Sequence, residues 1–224
     1  MFDCILLIAG KGKRSRLDYN KVFYLINNKP LYIYPLETFL SLDECARVII
    51  VCSASELFEV QEHTKSFDRD RIKIVIGGLH RQDSVYEGMK HTKSNKVLIH
   101  DGARVLVRKN DILQVYQEVS EQQAAVLGVP AKDTIKEVYA DVVVQTLDRE
   151  KLMQIQTPQG VMRHVFFAAI QQARKENFYG SDDVSIMEKY TNSKVKVIKG
   201  STKNFKITTP EDIEYINYLL KEQE

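Results

Sequence analysis

Short apolar runs alternate with helical stretches along almost the whole of this chain, and that alternation constrains the fold more than any single motif. Cys4 to Ala9, Arg47 to Cys52, Arg71 to Ile76, Lys96 to His100 and Ala124 to Val129 have the length of strands, and most are apolar enough to be buried on both faces. Between them lie segments that read as helices. These are Leu31 to Leu42 with Pro35 near its start, a stretch capped by Ser53 or Ser55 and running to about Lys65, Asp83 or Ser84 to about His91, and Asn110 to about Glu121. Strands separated by helices of this length need crossover connections. They imply an α/β fold whose sheet is mainly parallel and twisted, with helices on both faces.

The rhythm changes between Pro130 and Thr157. Thr134 to Val138 and Val142 to Thr146 flank a turn at Tyr139-Ala140-Asp141, which predicts a β-hairpin. An isolated hairpin is marginal in water, so it must pack on a sheet edge or grip a second subunit. Helical patterns return at Arg163 to Lys175 and Asp182 to Tyr190, and Lys194 to Ile198 reads as a last strand. Thr209 caps a final helix, with Pro210 at its first position. The expectation is one domain over 1–224 with a β-arm at about 132–157.

The first strand runs into Gly10-Lys11-Gly12, where missing side chains let backbone turn sharply and approach a ligand. Lys11, Lys13, Arg14, Arg16 and Lys21 follow, opposed only by Asp18. A buried strand ending in a cationic loop suits a polyphosphate held at the carboxyl edge of a sheet. It is not a Walker A loop, which needs Gly-x-x-x-x-Gly-Lys-Ser/Thr. Nor is it the dinucleotide fingerprint, because Ser15 stands where the third glycine belongs. From the loop alone, a solvated basic turn competes evenly with a phosphate site.

Charge over the whole chain is balanced, with 32 Lys and Arg against 30 Asp and Glu, so no overall field points to nucleic acid. Cys4, Cys45 and Cys52 form no CxxC pair and read as reduced thiols. No secretory signal and no apolar run approaching 18 residues is present, so a cytoplasmic protein without a membrane partner is expected.

In a parallel sheet the carboxyl ends of the strands share one edge, which would gather Arg14 and Lys21, then Gly77, Gly78, Arg81 and Ser84, then Asp101 and Arg104, then Lys132 and Asp133. Gly77-Gly78 would let backbone reach a flat base, with Ser84 adding a hydroxyl. The alternative is an ordinary strand-to-helix turn. Asp101 could hold Mg²⁺ or a ribose hydroxyl, or serve as a helix cap or structural ion pair. His100 reads as a satisfied structural histidine, since no other histidine lies at metal spacing.

Seven blocks, in order, carry a resemblance. They are Leu7-Ile-Ala-Gly-Lys-Gly-Lys-Arg14 with Lys21, Gly77-Gly-Leu-His-Arg-Gln-Asp-Ser84, His100-Asp-Gly-Ala-Arg104, Lys132-Asp-Thr-Ile-Lys136, Gln156-Thr-Pro-Gln159, Ser181-Asp-Asp183 and Asn204-Phe-Lys-Ile-Thr-Thr-Pro-Glu-Asp212. Together, over nearly the whole chain, they resemble the sugar-alcohol phosphate cytidylyltransferases. Ala103 and Asp83-Ser84 favour the members acting on 2-C-methyl-D-erythritol 4-phosphate over those acting on ribitol 5-phosphate. The resemblance implies a Rossmann-like nucleotidyltransferase that joins CMP from CTP to a polyol phosphate and releases pyrophosphate, with Mg²⁺ as cofactor.

Carried over, Arg14, Lys21 and Lys206 match the family's catalytic cations. Ala9, Gly10 and Gly12 fall in the motif lining the nucleotide, and Gly78 and Ser84 match the readers of cytosine. Asp101 matches an aspartate on the ribose or polyol side. Arg149 and Thr157 match residues that hold the acceptor phosphate. The resemblance also implies a homodimer in which the β-arm crosses to the partner and Arg149 acts there.

Departures fall at Leu7 and Val105, where Pro is common, at Gly102, where Ala is usual, and at Gly160, where an aromatic is common. Asn20 replaces a Pro before Lys21, which predicts a less rigid approach to that lysine. The competing readings are the same chemistry on another polyol phosphate, a glycosyltransferase on the same sheet, and a nucleotide-binding regulator without turnover. The glycosyltransferase is disfavoured because Asp68-Arg-Asp70 precedes its strand instead of following it.

Overall fold

The computed structural model describes residues 1–10 and 20–221. In chain order, β1 is Phe2–Leu7, a short hairpin pairs β2 (Leu25–Ile26) with β3 (Lys29–Pro30), and α1 is Ile33–Leu40. Then come β4 (Cys45–Cys52), α2 (Leu57–His63), β5 (Ile72–Ile76), α3 (Arg81–Met89), β6 (Lys96–Asp101), α4 (Lys109–Glu118) and β7 (Gln123–Pro130). A second hairpin, β8 (Lys136–Tyr139) and β9 (Val142–Thr146), precedes β10 (Met153–Met162). The chain ends with α5 (Arg163–Lys175), α6 (Asp183–Tyr190), β11 (Lys194–Lys199) and α7 (Pro210–Lys221).

Seven strands form one sheet in the order β11-β7-β10-β6-β1-β4-β5. Six run parallel, and β10 alone is antiparallel to both its neighbours, β6 and β7. The α/β architecture expected from the alternation is therefore present, with one strand the rhythm does not announce. Successive side chains on each buried strand go to opposite faces. Cys4, Leu6, Val48, Ile50 and Leu98 pack on the layer of α1, α2 and α4. Ile5, Ile49, Val51, Val97 and Ile99 pack on the layer of α3, α5 and α6. The apolar side of α7 makes a third cluster, in which Ile213 and Ile216 meet Ile26, Leu31, Val105 and Ile207.

Register decides where the site lies. Leu7 is level with Val51 on one side and Asp101 on the other, and Cys52 is level with Ile76. The carboxyl ends of β1, β4, β5 and β6 therefore share one rim. The chain proceeds outward from β1 to β4 and β5, then returns to place β6 on β1's other flank. A crevice opens at such a reversal, because the two connections leave the sheet in opposite directions.

The β8–β9 hairpin forms its own two-stranded sheet, turning at Ala140 and Asp141, both at positive φ. The span 132–157 expected for an arm re-enters the main sheet before its end, since Met153 already pairs with Pro130 of β7.

Candidate active site

Residues 7–10 at the end of β1 form one wall of a cleft, and Asp101 and Ala103 at the end of β6 form another. Among the described residues, Asn20, Lys21, Val22, Arg81, Ser84 and Lys206 complete its lining. Five separate stretches of the chain thus meet at the switch point. Of the residues expected at a site, Ala9, Gly10, Lys21, Ser84, Asp101 and Lys206 are brought together here. Arg14 and Gly12 lie outside the described residues.

Asp101 is the electrostatic centre. It is buried, with Arg81 Nε donating to its Oδ1 at 3.1 Å and Lys206 Nζ donating to its Oδ2 at 2.8 Å. Burial pushes its carboxyl up, but Arg81 and Lys206 outweigh that and hold it well below the usual carboxylate range. Arg81 is shared, for its two terminal nitrogens also donate to the Asp183 carboxylate. Burial raises the Asp183 carboxyl above its ordinary value, against the pull of Arg81. Three cations against two carboxylates leave the described part of the cleft positive, which suits a polyanion.

Beneath this ring lies a satisfied hydrogen-bond relay. His100 Nε2 is 3.0 Å from the Arg104 carbonyl, an acceptor only, so that nitrogen carries the proton and Nδ1 accepts from the Thr157 hydroxyl at 3.0 Å. Thr157 Oγ1 in turn accepts from the Asp101 N–H at 3.1 Å. Burial lowers the His100 pKa to about 4, so the ring is neutral at physiological pH. It fits a structural histidine, with both nitrogens used. Thr157 is buried in the floor, its hydroxyl committed to this relay and not presented at the cleft surface.

Ser84, in the first turn of α3, accepts from the Gly78 N–H at 3.2 Å. A Cβ at Gly78 would come within 2.3 Å of the Asp83 side chain, so the loop can fold back on the helix only with glycine there. At Gly10 a Cβ would meet nothing within 4 Å, so packing against the described residues does not explain that glycine. Arg149 sits beyond the hairpin, exposed, with one guanidinium nitrogen donating to the Lys132 carbonyl at 2.9 Å. The chain's own fold does not bring it to the cleft.

Arg81 is expected at the rim but not in this pairing, and Asp183 and Gln159 carry no expected role. Gln159 Oε1 accepts from the N–H groups of Asp183 and Val184 at 3.0 and 3.1 Å, capping α6 from β10. That cap sets Asp183 under Arg81, and Arg81 under Asp101. All three residues lie in the quoted blocks, which was the one available signal. Their partners are distant in sequence, so spacing alone could not pair them.

Among the described residues no group of three or more His, Cys, Asp or Glu could hold a metal ion. Asp101 is the one carboxylate among the described residues that line the cleft. Mg²⁺ fits that donor set as an ion carried mainly by phosphate oxygens and water, with at most one protein carboxylate.

Residues 3–222 match the family model for 2-C-methyl-D-erythritol 4-phosphate cytidylyltransferase. A relative of that name from Halalkalibacterium halodurans is 39% identical over 225 residues, covering 100% of this chain and 98% of its own. Another, from Bacillus cytotoxicus, is 37% identical, with 95% of each chain covered. Among solved structures, 4-diphosphocytidyl-2C-methyl-D-erythritol synthase from Anaerococcus prevotii superposes with a TM-score of 0.88 at 28% identity, covering 98% of this chain and 96% of that one. The Francisella tularensis 2-C-methyl-D-erythritol 4-phosphate cytidylyltransferase superposes at 0.79 and 29%, covering 97% and 98%. With its switch-point cleft, its cationic lining and full-length matches in both sequence and fold, the chain belongs to the 2-C-methyl-D-erythritol 4-phosphate cytidylyltransferase family.

Proposed function

We propose that this protein transfers CMP from CTP to 2-C-methyl-D-erythritol 4-phosphate, forming the CDP-polyol and releasing pyrophosphate. The observation that carries the reading is the convergence of Lys21, Lys206 and Asp101 on one switch-point cleft in a chain of this family. An oxygen of the acceptor phosphate attacks the α-phosphorus of CTP, and the bond to the β-phosphate breaks. A phosphate monoester is already anionic near neutral pH, so no strong general base is needed, and catalysis is positioning plus electrostatics. One cation about 4 Å from a phosphate charge contributes about 4 kcal/mol at an effective dielectric near 20. Two or three such groups supply a useful share of the ~8 kcal/mol or more by which enzymes lower barriers.

In this reading Lys21, Lys206 and Arg14 stabilise the transferring phosphate, while Ala9, Gly10 and Gly12 lie along the nucleotide. Gly78 and Ser84 read cytosine, and Asp101 faces the ribose or polyol. Mg²⁺, held by the triphosphate with Asp101 as its protein ligand, neutralises phosphate charge when bound. Arg149 and Thr157 are assigned to the acceptor phosphate, Thr157 through the floor it braces.

The working form is a homodimer of single nucleotidyltransferase domains, each lending its arm to the other. Its support is the apolar surface of the hairpin, where Val138, Tyr139, Val142, Val143 and Val144 are all exposed. A cytoplasmic location is supported by three buried free cysteines, and no described helix is long and apolar enough to cross a membrane. No nucleic-acid partner is invoked, given the balanced charge.

The test is a coupled pyrophosphate assay of CTP against a panel of polyol phosphates. Turnover confined to ribitol 5-phosphate would overturn the acceptor, and CTP binding without turnover on any acceptor would overturn the enzyme.

A further inference from the structure

Asn20 lines the cleft directly before Lys21, and both ends of its side-chain amide are hydrogen-bonded. Nδ2 donates to the Ile8 carbonyl at 2.6 Å and to Glu56 Oε1 at 3.0 Å. Both groups are acceptors, which settles the orientation of the amide. Oδ1 accepts, at a long 3.4 Å, from the Val22 N–H and caps the short 3₁₀ turn Lys21–Phe23. Glu56 is itself fixed, since its other oxygen accepts from the Ser53 N–H at 3.1 Å where the chain leaves β4. The backbone on either side of Lys21 is therefore clipped to the carboxyl ends of two adjacent core strands, β1 and β4.

Directly before Lys21, where the family commonly has a proline, this chain has a polar clip. We infer that Asn20 and Glu56 are positioning residues, which aim Lys21 into the cleft for the transfer step. Asn20 also lines the cleft, but its amide is spent on these bonds, and Glu56 does not line it. Asn20 is buried and donates to the Ile8 carbonyl, so moving it costs that hydrogen bond. Glu56 reaches it from a different loop, so the geometry of Lys21 depends on a residue 36 positions from Asn20.

This inference rests on the reading of Lys21 as a catalytic cation, and the experiment separates the two. Asn20→Asp is isosteric but turns a carboxylate oxygen toward the Ile8 carbonyl and the Glu56 carboxylate. The expected result is a fall of roughly 10- to 100-fold in kcat for pyrophosphate release, with a much smaller change in KM for CTP and little change in Tm. Glu56→Ala, at a half-buried position that keeps Asn20, should fall in the same sense and covers the case in which Asn20→Asp folds poorly. Adding Glu56→Gln to Asn20→Asp gives the new carboxylate a donor and should recover part of the loss.

The decisive comparison is made in a Lys21→Ala background, where Asn20→Asp should cost nothing further. A full additional loss there means the clip does not act through Lys21, and overturns the inference. A crippled Lys21→Ala beside normal Asn20→Asp and Glu56→Ala variants overturns the clip alone. A Lys21→Ala enzyme of normal rate overturns the role of Lys21 and the clip's purpose with it.

Discussion

Arg81 grips Asp183 with both terminal nitrogens, Nη1 to Oδ1 at 2.9 Å and Nη2 to Oδ2 at 2.8 Å, across 102 residues of sequence. Asp183 is buried on α6, so the pair ties that helix to the start of α3 and leaves only Nε of Arg81 to face Asp101. The bidentate fork fixes the plane of the guanidinium, and the guanidinium fixes the carboxylate at the centre of the cleft.

Removing Asp183 should therefore loosen both the fold and the site. Asp183→Ala is expected to cost about 3 kcal/mol of stability, the low end for a broken buried pair, because Arg81 is partly exposed and keeps Asp101. Asp183→Asn, which can still accept one bond, should lose less. Urea unfolding of the three proteins gives the order, and equal midpoints would show that the fork contributes nothing.

His100 makes stability depend on pH. Its folded pKa lies near 4, while the unfolded ring titrates near 6.5. Between those values the unfolded chain binds more protons, so the folded state loses stability as pH falls from 6.5 toward 4 and loses nothing further from this group below that. The loss should be roughly 2 kcal/mol between pH 6.5 and 5. Unfolding at several pH values should show a slope that His100→Gln reduces. An unchanged slope in the variant would assign the effect elsewhere. Asp101 acts in the same sense but lower on the scale, its contribution fading only as pH drops below the ordinary carboxylate value of 3.8.

Local pattern carried most of the architecture, and the exceptions have physical causes. The helix over Arg163–Lys175 is legible to the residue because its 3.6-residue apolar period has no competitor. The strand β10 is not. Its sequence is interrupted by Pro158, which cannot donate to a ladder, and its pairing with β7 shifts register between Ile155 and Gln159. Six of its ten residues are Gln, Thr or Met, and Thr157, Gln159 and Gln156 serve the relay, the α6 cap and the neighbouring loop instead of a plain apolar face. The helix α3 begins at Arg81, two residues before the expected start, because Asp83 caps back onto the His80 N–H at 3.2 Å. Within the site, the strand-end residues were legible because parallel strands share an edge. The clip at Asn20 and the fork at Arg81 were not, because each joins loops related only by the folded sheet.

Gly102, directly after Asp101, is packed too closely to take a side chain without a shift of its neighbours. A Cβ there would lie 2.6 Å from Ile8 Cγ2 and 3.1 Å from the Leu7 carbonyl. Gly102→Ala should therefore cost roughly 1–3 kcal/mol by overpacking, and it should also reduce activity by shifting Asp101 next to it. In an Ile8→Ala background the same substitution should be neutral or stabilising, since its methyl then enters vacated space. The sign change between backgrounds, read by thermal unfolding, is the test; the same cost in both would mean that Ile8 is not the obstacle.

The arm makes a prediction that no single protomer can satisfy. If Arg149 serves the partner's cleft, a complete site needs Lys21 from one chain and Arg149 from the other. A Lys21→Ala protein and an Arg149→Ala protein, each nearly inactive alone, should then regain activity on mixing under conditions that allow subunit exchange. In a heterodimer one site carries both lesions and the other carries neither. Half the dimers are mixed at random exchange, so recovery should approach about a quarter of the wild-type rate. Introducing Val143→Asp, a charge on the exposed apolar hairpin, should abolish the recovery and dissociate the dimer in sedimentation. Activity of the mixture no greater than the sum of its parts would place Arg149 in its own chain's site or in none, and the dimer would cease to be the catalytic unit.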